Sequence, residues 1–111
     1  MSTEGSKIEK LYYSISEVSD MFGVNQSNLR FWEKEFDIIQ PRKNSKGTRF
    51  YTKEDIENIK LIYQLVRRQG MTLEGARKKL KDDRDQVKKN TEIVERLLKI
   101  KQEIADIKRE L

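Results

Sequence analysis

Two side chains that carry much of enzyme chemistry are missing: the 111-residue sequence has no cysteine and no histidine. Thiol nucleophiles, Ser/His/Asp triads, imidazole acid–base work and every ordinary zinc site are excluded, leaving only a carboxylate-built metal site formally open. No disulfide can form, and the polar stretch Met1 to Lys10 has no apolar run of signal-peptide length, so an intracellular protein is expected. No segment approaches the roughly 20 apolar residues of a membrane span. Apolar residues make up 35% against 39% charged, which leaves little for a large core and favours helices with solvated faces. A deep pocket is not expected, and no oxyanion loop or nucleophile elbow is legible; we expect no enzyme, no metal and no cofactor.

The length suits one small domain plus an appendage. The expected division is a flexible tail over 1–10, a folded domain over 11–81, and a joint with a long helix over 82–111. Charge follows this division: residues 1–81 hold 16 Lys and Arg against 11 Asp and Glu, whereas residues 82–111 hold 8 of each, so the net +5 lies in the first part. A basic region favours polyanions, because neutralising phosphates releases counterions. A solvated basic surface would account for the net charge alone; position sharpens the reading. Gln40 to Tyr51 carries Arg42, Lys43, Lys46 and Arg49 with no acid between them.

Local signals order the domain. Ser14-Ile15-Ser16-Glu17 fits a capping box, and Ile15, Val18 and Phe22 follow at helical spacing, predicting a short helix to Met21 or Phe22. Gly23 suits a left-handed turn, and Asn25 can cap a second helix through Phe36 that buries Val24, Leu29, Trp32 and Phe36. Gln26, Ser27, Asn28, Arg30 and Lys34 are left to face outward. A helix-turn-helix fits this pattern, as does any helical hairpin. Pro41, the one proline, suits the start of an extended edge segment. Asn44 to Gly47 is turn chemistry between two short extended runs, predicting a hairpin with a basic, exposed tip. Thr52 with Asp55 caps a third helix ending before Gly70, and Thr72 opens a fourth with Leu73, Ala76 and Leu80.

Beyond the polar joint at 82–86, Ile93, Leu97, Ile100, Ile104, Ile107 and Leu111 step by 4, 3, 4, 3 and 4 residues, a coiled-coil seam. The same register carried back places Asn90 and Gln86 at core positions, while Val94, Leu98 and Ala105 widen the stripe. Such a helix cannot bury its stripe alone. It either folds back on its own domain or pairs with a partner helix, and the regular heptads favour the partner.

These residues resemble the MerR family of bacterial transcription regulators over Tyr13 to Leu80 and in the plan of the last helix. Asn28-Leu29-Arg30-Phe31-Trp32-Glu33 is similar to the family's Thr-Ile-Arg-Tyr-Tyr-Glu on the recognition helix, and Ile39-Gln40-Pro41-Arg42-Lys43 to its entry into the wing. Gly47-Thr48-Arg49-Phe50-Tyr51 resembles the Gly-Tyr-Arg-x-Tyr that closes the wing, and Gly70-Met71-Thr72-Leu73-Glu74 the Gly-Phe-Ser-Leu-Glu between the next two helices. The resemblance implies a mainly α fold: a winged helix-turn-helix with a small two-stranded wing, two further helices, and a long C-terminal coiled-coil helix that pairs antiparallel in a homodimer. It places Arg30 in the major groove, Arg49 and Lys43 on the DNA backbone, Lys46 and Asn44 near the minor groove, and the Ser14 helix start at a phosphate. The candidate DNA-binding residues are Ser14, Gln26, Ser27, Asn28, Arg30, Phe31, Lys34, Arg42, Lys43, Asn44, Lys46, Arg49 and Tyr51. The candidate dimerisation residues are Asn90, Ile93, Val94, Leu97, Ile100, Ile104, Ile107 and Leu111. Phe31 and Trp32 stand where the family has tyrosines, and core packing is the favoured role for both. Family activators commonly carry an effector domain after the dimer helix, so the expectation is a regulator without a sensor.

The leading expectation is a sequence-specific regulator acting as a homodimer on double-stranded DNA, in the cytoplasm on the bacterial nucleoid. The resemblance implies that it distorts promoter DNA, with RNA polymerase a further candidate partner. An architectural or excisionase-like recombination factor is the alternative, predicting repeated sites without a promoter effect. A third reading has the last helix capture another protein, kept open by Val94 and Leu98.

Overall fold

The computed structural model describes residues 10–111, so nearly all of the expected tail at 1–10 lies outside the described residues. Helix α1 (Ile15–Phe22) begins at a complete capping box: Glu17 N donates to Ser14 Oγ (3.1 Å), and Ser14 N donates to Glu17 Oε1 (2.9 Å). It ends at Gly23, whose φ of 62° is a left-handed conformation that a Cβ would strain. Two residues on, the Asn25 side chain accepts from Asn28 N and opens α2 (Gln26–Glu35). Val18, Val24, Leu29, Trp32 and Phe36 are all buried, so the two helices present their apolar stripes to one core.

Strands β1 (Arg42–Lys43) and β2 (Arg49–Phe50) pair antiparallel, with Arg42 opposite Phe50 and Lys43 opposite Arg49. Tyr51 extends the hairpin into the domain through paired backbone bonds with Tyr13, each 2.8 Å. Helix α3 (Lys53–Tyr63) follows; its buried Asp55 serves both ends of the hairpin, accepting from Thr52 N and Oγ1 (3.0 Å each) and from Gln40 N (2.9 Å). Asn58 donates through Nδ2 to the Ile38 carbonyl (2.9 Å). The hairpin is therefore held at its base by part-buried hydrogen bonds centred on the buried Asp55 carboxylate, which would be left desolvated if they broke.

The chain divides into two compact units at Lys60/Leu61. In the second, the α-helical ladder gives way at Tyr63 to a π-helical turn (Gln64–Arg68), where the sequence pattern predicts regular helix to Gly70. The wider turn, closed by Gln69 N on the Gln64 carbonyl, buries the consecutive residues Gln64 and Leu65. Gly70, at φ 71°, lets Met71 N bond back to the Leu65 carbonyl. Thr72 then caps α4 (Leu73–Glu110), whose only non-helical dihedrals are at Asp83 (φ −147°, ψ 39°). The polar stretch expected as a joint at 82–86 holds this kink, at which two helical segments meet. Ala76, Leu80, Val87 and Thr91 are buried and Val94 half-buried; from Glu95 onward every residue is exposed. Among the described residues, no helix is long and apolar enough to cross a membrane.

Candidate nucleic-acid interface

With 3.6 residues per turn, Leu29 and Trp32 facing inward leave Ser27 and Lys34 at the centre of the outer face of α2. Arg30 flanks them on one side and Phe31 on the other, all exposed; Gln26 is exposed at the helix start and Asn28 half-buried near it. The two aromatics expected to pack alike part company. Trp32 is 3% exposed and Phe31 45%, because adjacent helical positions lie about 100° apart and only one can face the core.

Glu33 joins α2 to the wing. Arg49 Nε donates to Glu33 Oε1 at 2.7 Å, and Lys43 Nζ lies 3.9 Å from Glu33 Oε2. Because Lys43 and Arg49 are directly paired across the hairpin, their side chains leave it on the same face and meet one carboxylate. Arg49 is therefore oriented and partly covered, whereas Arg42 and Lys46 are exposed. Asn44 is occupied in building the tip: its side-chain oxygen accepts from Lys46 N (2.9 Å) and Thr48 N (3.0 Å), which holds Lys46 outward.

Tyr51 departs from expectation. It is fully buried, the largest such side chain among the described residues, and its hydroxyl has no hydrogen-bond partner there. Past the last ladder pair the chain bonds with Tyr13, and the ring is buried beside the junction of α2 and the wing, where the Glu33, Arg49 and Arg30 charges act on its phenol. Burial, with the Glu33 carboxylate adding to it, pushes the phenol pKa up to about 12.

At α1 the Ser14 hydroxyl is committed to the cap, so an anion there would meet backbone N–H donors of the first turn. Glu17 is held below the ordinary carboxylate range, first by its hydrogen bond from Lys10 and then by Ser14 N. Glu33 has no role legible in the sequence, and Asp55 only that of capping α3. The sign of Glu33 opposite a basic hairpin is a usable signal, but the pairing needs the strand register, and the reach of Asp55 to Gln40 needs the fold.

The candidate dimer residues lie on α4. Ile93, Leu97, Ile100, Ile104 and Ile107 are each more than half exposed, and Leu111 wholly so. Val94 is half-buried; Asn90 is exposed and accepts through Oδ1 from Gln86 Nε2 (3.1 Å) on its own helix. The buried track at this level is Val87 and Thr91, one residue beyond the Gln86–Asn90 register, and Thr91 satisfies its hydroxyl on the Val87 carbonyl (2.8 Å).

Comparison with known proteins identifies the family and the fold. The MerR HTH family of regulatory proteins matches residues 13–83. The uncharacterised HTH-type transcriptional regulator YyaN of Bacillus subtilis is 33% identical over 65% of this chain and 51% of its own length. The mercuric resistance operon regulatory protein of Bacillus cereus is 31% identical over 87% of this chain and 76% of its own. Among solved structures, HiNmlR, a MerR family regulator lacking the sensor domain, bound to promoter DNA, shares the fold. Its TM-score is 0.52 at 24% identity, covering 89% of this chain and 81% of that one. The chain spans about half the length of YyaN.

Proposed function

The chain belongs to the MerR family of helix-turn-helix regulatory proteins, and from that premise we propose that it is a homodimeric, sequence-specific DNA-binding regulator of transcription acting on a dyad operator. The observation that carries the reading is the single exposed face of α2, Ser27, Arg30, Phe31 and Lys34, braced through Glu33 against a basic wing. A protruding helix with a forked cation suits the major groove, where Arg reads guanine O6 and N7. Arg42, Lys43 and Lys46 supply sequence-independent phosphate contacts, and Arg49, held by Glu33, meets the backbone beside the wing.

The α4 seam supports the dimer. Residues 95–111 are all exposed among the described residues, yet an isolated helix of that length is marginal in water. Burying the exposed half of Ile93, Leu97, Ile100, Ile104 and Ile107 against a second copy contributes roughly 1–1.5 kcal/mol per side chain before ordering costs. Two recognition helices so joined read two half-sites of fixed separation. Distorting the promoter between them costs elastic energy repaid by contacts, and RNA polymerase engages the reshaped spacer in the bacterial cytoplasm.

The test is selection of bound fragments from genomic DNA by the purified chain at moderate salt, which suppresses nonspecific phosphate binding. The expected product is one imperfect dyad across a promoter spacer. Repeated, unphased or merely A/T-rich sites would instead mark an architectural protein and end the regulator reading.

A further inference from the structure

On the assumption that α2 enters a DNA groove, as proposed above, the geometry points to Phe31 as a specificity determinant that reads the C5-methyl group of one thymine in each half-site. Phe31 is the one aromatic ring on the outer face of α2, and it is 45% exposed while its neighbour Trp32 is 3%. It lies one turn beyond Ser27 and one turn before Lys34, so these side chains form a continuous patch with Arg30. Whatever surface the patch meets, the ring meets too.

The chemistry of the ring narrows what that contact can be. A phenyl side chain has no donor for a phosphate oxygen and no acceptor for a base amine. Its gain on the floor of the major groove comes from apolar contact, and the apolar group displayed there by the base pairs is the thymine methyl. Arg30, on the neighbouring side of the patch, suits a guanine. The pair therefore reads unlike groups, hydrogen-bond acceptors on one flank and a methyl on the other.

Excluding one methyl group from water is worth about a fourfold change in affinity. The experiment uses the full chain and a synthetic duplex of its selected site, with deoxyuridine replacing each thymidine in turn, which deletes only the methyl. Binding is measured for the wild type, Phe31→Ala and Phe31→Leu. At one thymine per half-site, the wild type should lose about fourfold on replacement, Phe31→Ala should lose nothing further, and Phe31→Leu should keep part of the dependence. The position is exposed, and thermal melts of each variant check that it folds. If no thymine shows the coupling, or if Phe31→Ala weakens thymine and uracil duplexes equally at every position, the ring packs on the sugar-phosphate backbone and the assignment is overturned. A chain that selects no sequence at all overturns the DNA-reading proposal itself.

Discussion

Replacing Tyr51 with phenylalanine separates a buried framework role from a DNA contact. The hydroxyl is buried without a partner among the described residues, and an unpaired buried polar group costs about 1–3 kcal/mol. Removing the oxygen forfeits only a few weak contacts of a few tenths of a kcal/mol. Tyr51→Phe should therefore stabilise the fold by about 1 kcal/mol, raising the melting temperature by about 4–8 °C at fixed protein concentration. DNA affinity should be unchanged, because the ring faces the core. The same substitution removes a pH dependence. With the folded pKa pushed up to about 12, the unfolded chain gives up this proton at lower pH than the folded one, so stability contributed below pH 10 is lost as pH rises towards 12, at up to about 1.4 kcal/mol per unit. Urea titrations of both proteins at pH 8 and pH 11 measure this directly. A loss of 1 kcal/mol or more at pH 8 would show that the hydroxyl is paired. Unchanged stability with tenfold weaker DNA binding would show that it reaches the ligand; either result refutes the reasoning.

Other perturbations probe the remaining parts. Arg30→Ala should cost about 1–3 kcal/mol on the selected site and relax one base position, whereas Lys46→Ala should weaken all sequences alike and lower the salt slope by about 1; equal losses for Arg30→Ala on target and random DNA would count against its reading role. Ile100→Asp with Ile104→Asp puts charge on the seam and should yield a monomer by sedimentation that no longer binds a dyad. A monomeric wild type at micromolar concentration would remove the homodimer argument. Glu17→Gln keeps the capping geometry but not the charge. Since the Glu17 pKa is depressed, its contribution is present above the ordinary carboxylate range and fades as pH falls through the lower folded value, so the variant should lose less stability between pH 5 and pH 3.

Much of this fold is legible because its signals are local. Ser14 with Glu17 and Thr52 with Asp55 are reciprocal pairs three residues apart, Asn25 accepts from Asn28 N at the same spacing, and helix starts need nothing further. Gly23 and the Asn44–Gly47 turn likewise follow from backbone preference. The heptad steps of Ile93 to Leu111 are equally plain, since a helical period repeats on one face wherever the helix lies.

Other features depended on where separate segments meet. Phe31 and Trp32 are neighbours of similar hydrophobicity, and only the docking of α2 decided that one faces water. A carboxylate at Glu33 is unremarkable until the hairpin register brings Lys43 and Arg49 to it, and Tyr51 looks like part of the wing until its strand turns inward. The π-helical turn at Gln64–Arg68 has no propensity signal, because widening one turn is favourable only where packing rewards it. Sequence alone therefore settled the helix starts and their caps, the basic wing and the unpaired apolar seam, all governed by interactions within a few residues. Tertiary structure decided which side chains are spent inside and which remain for a ligand, because burial is a property of contacts between segments that no single segment contains.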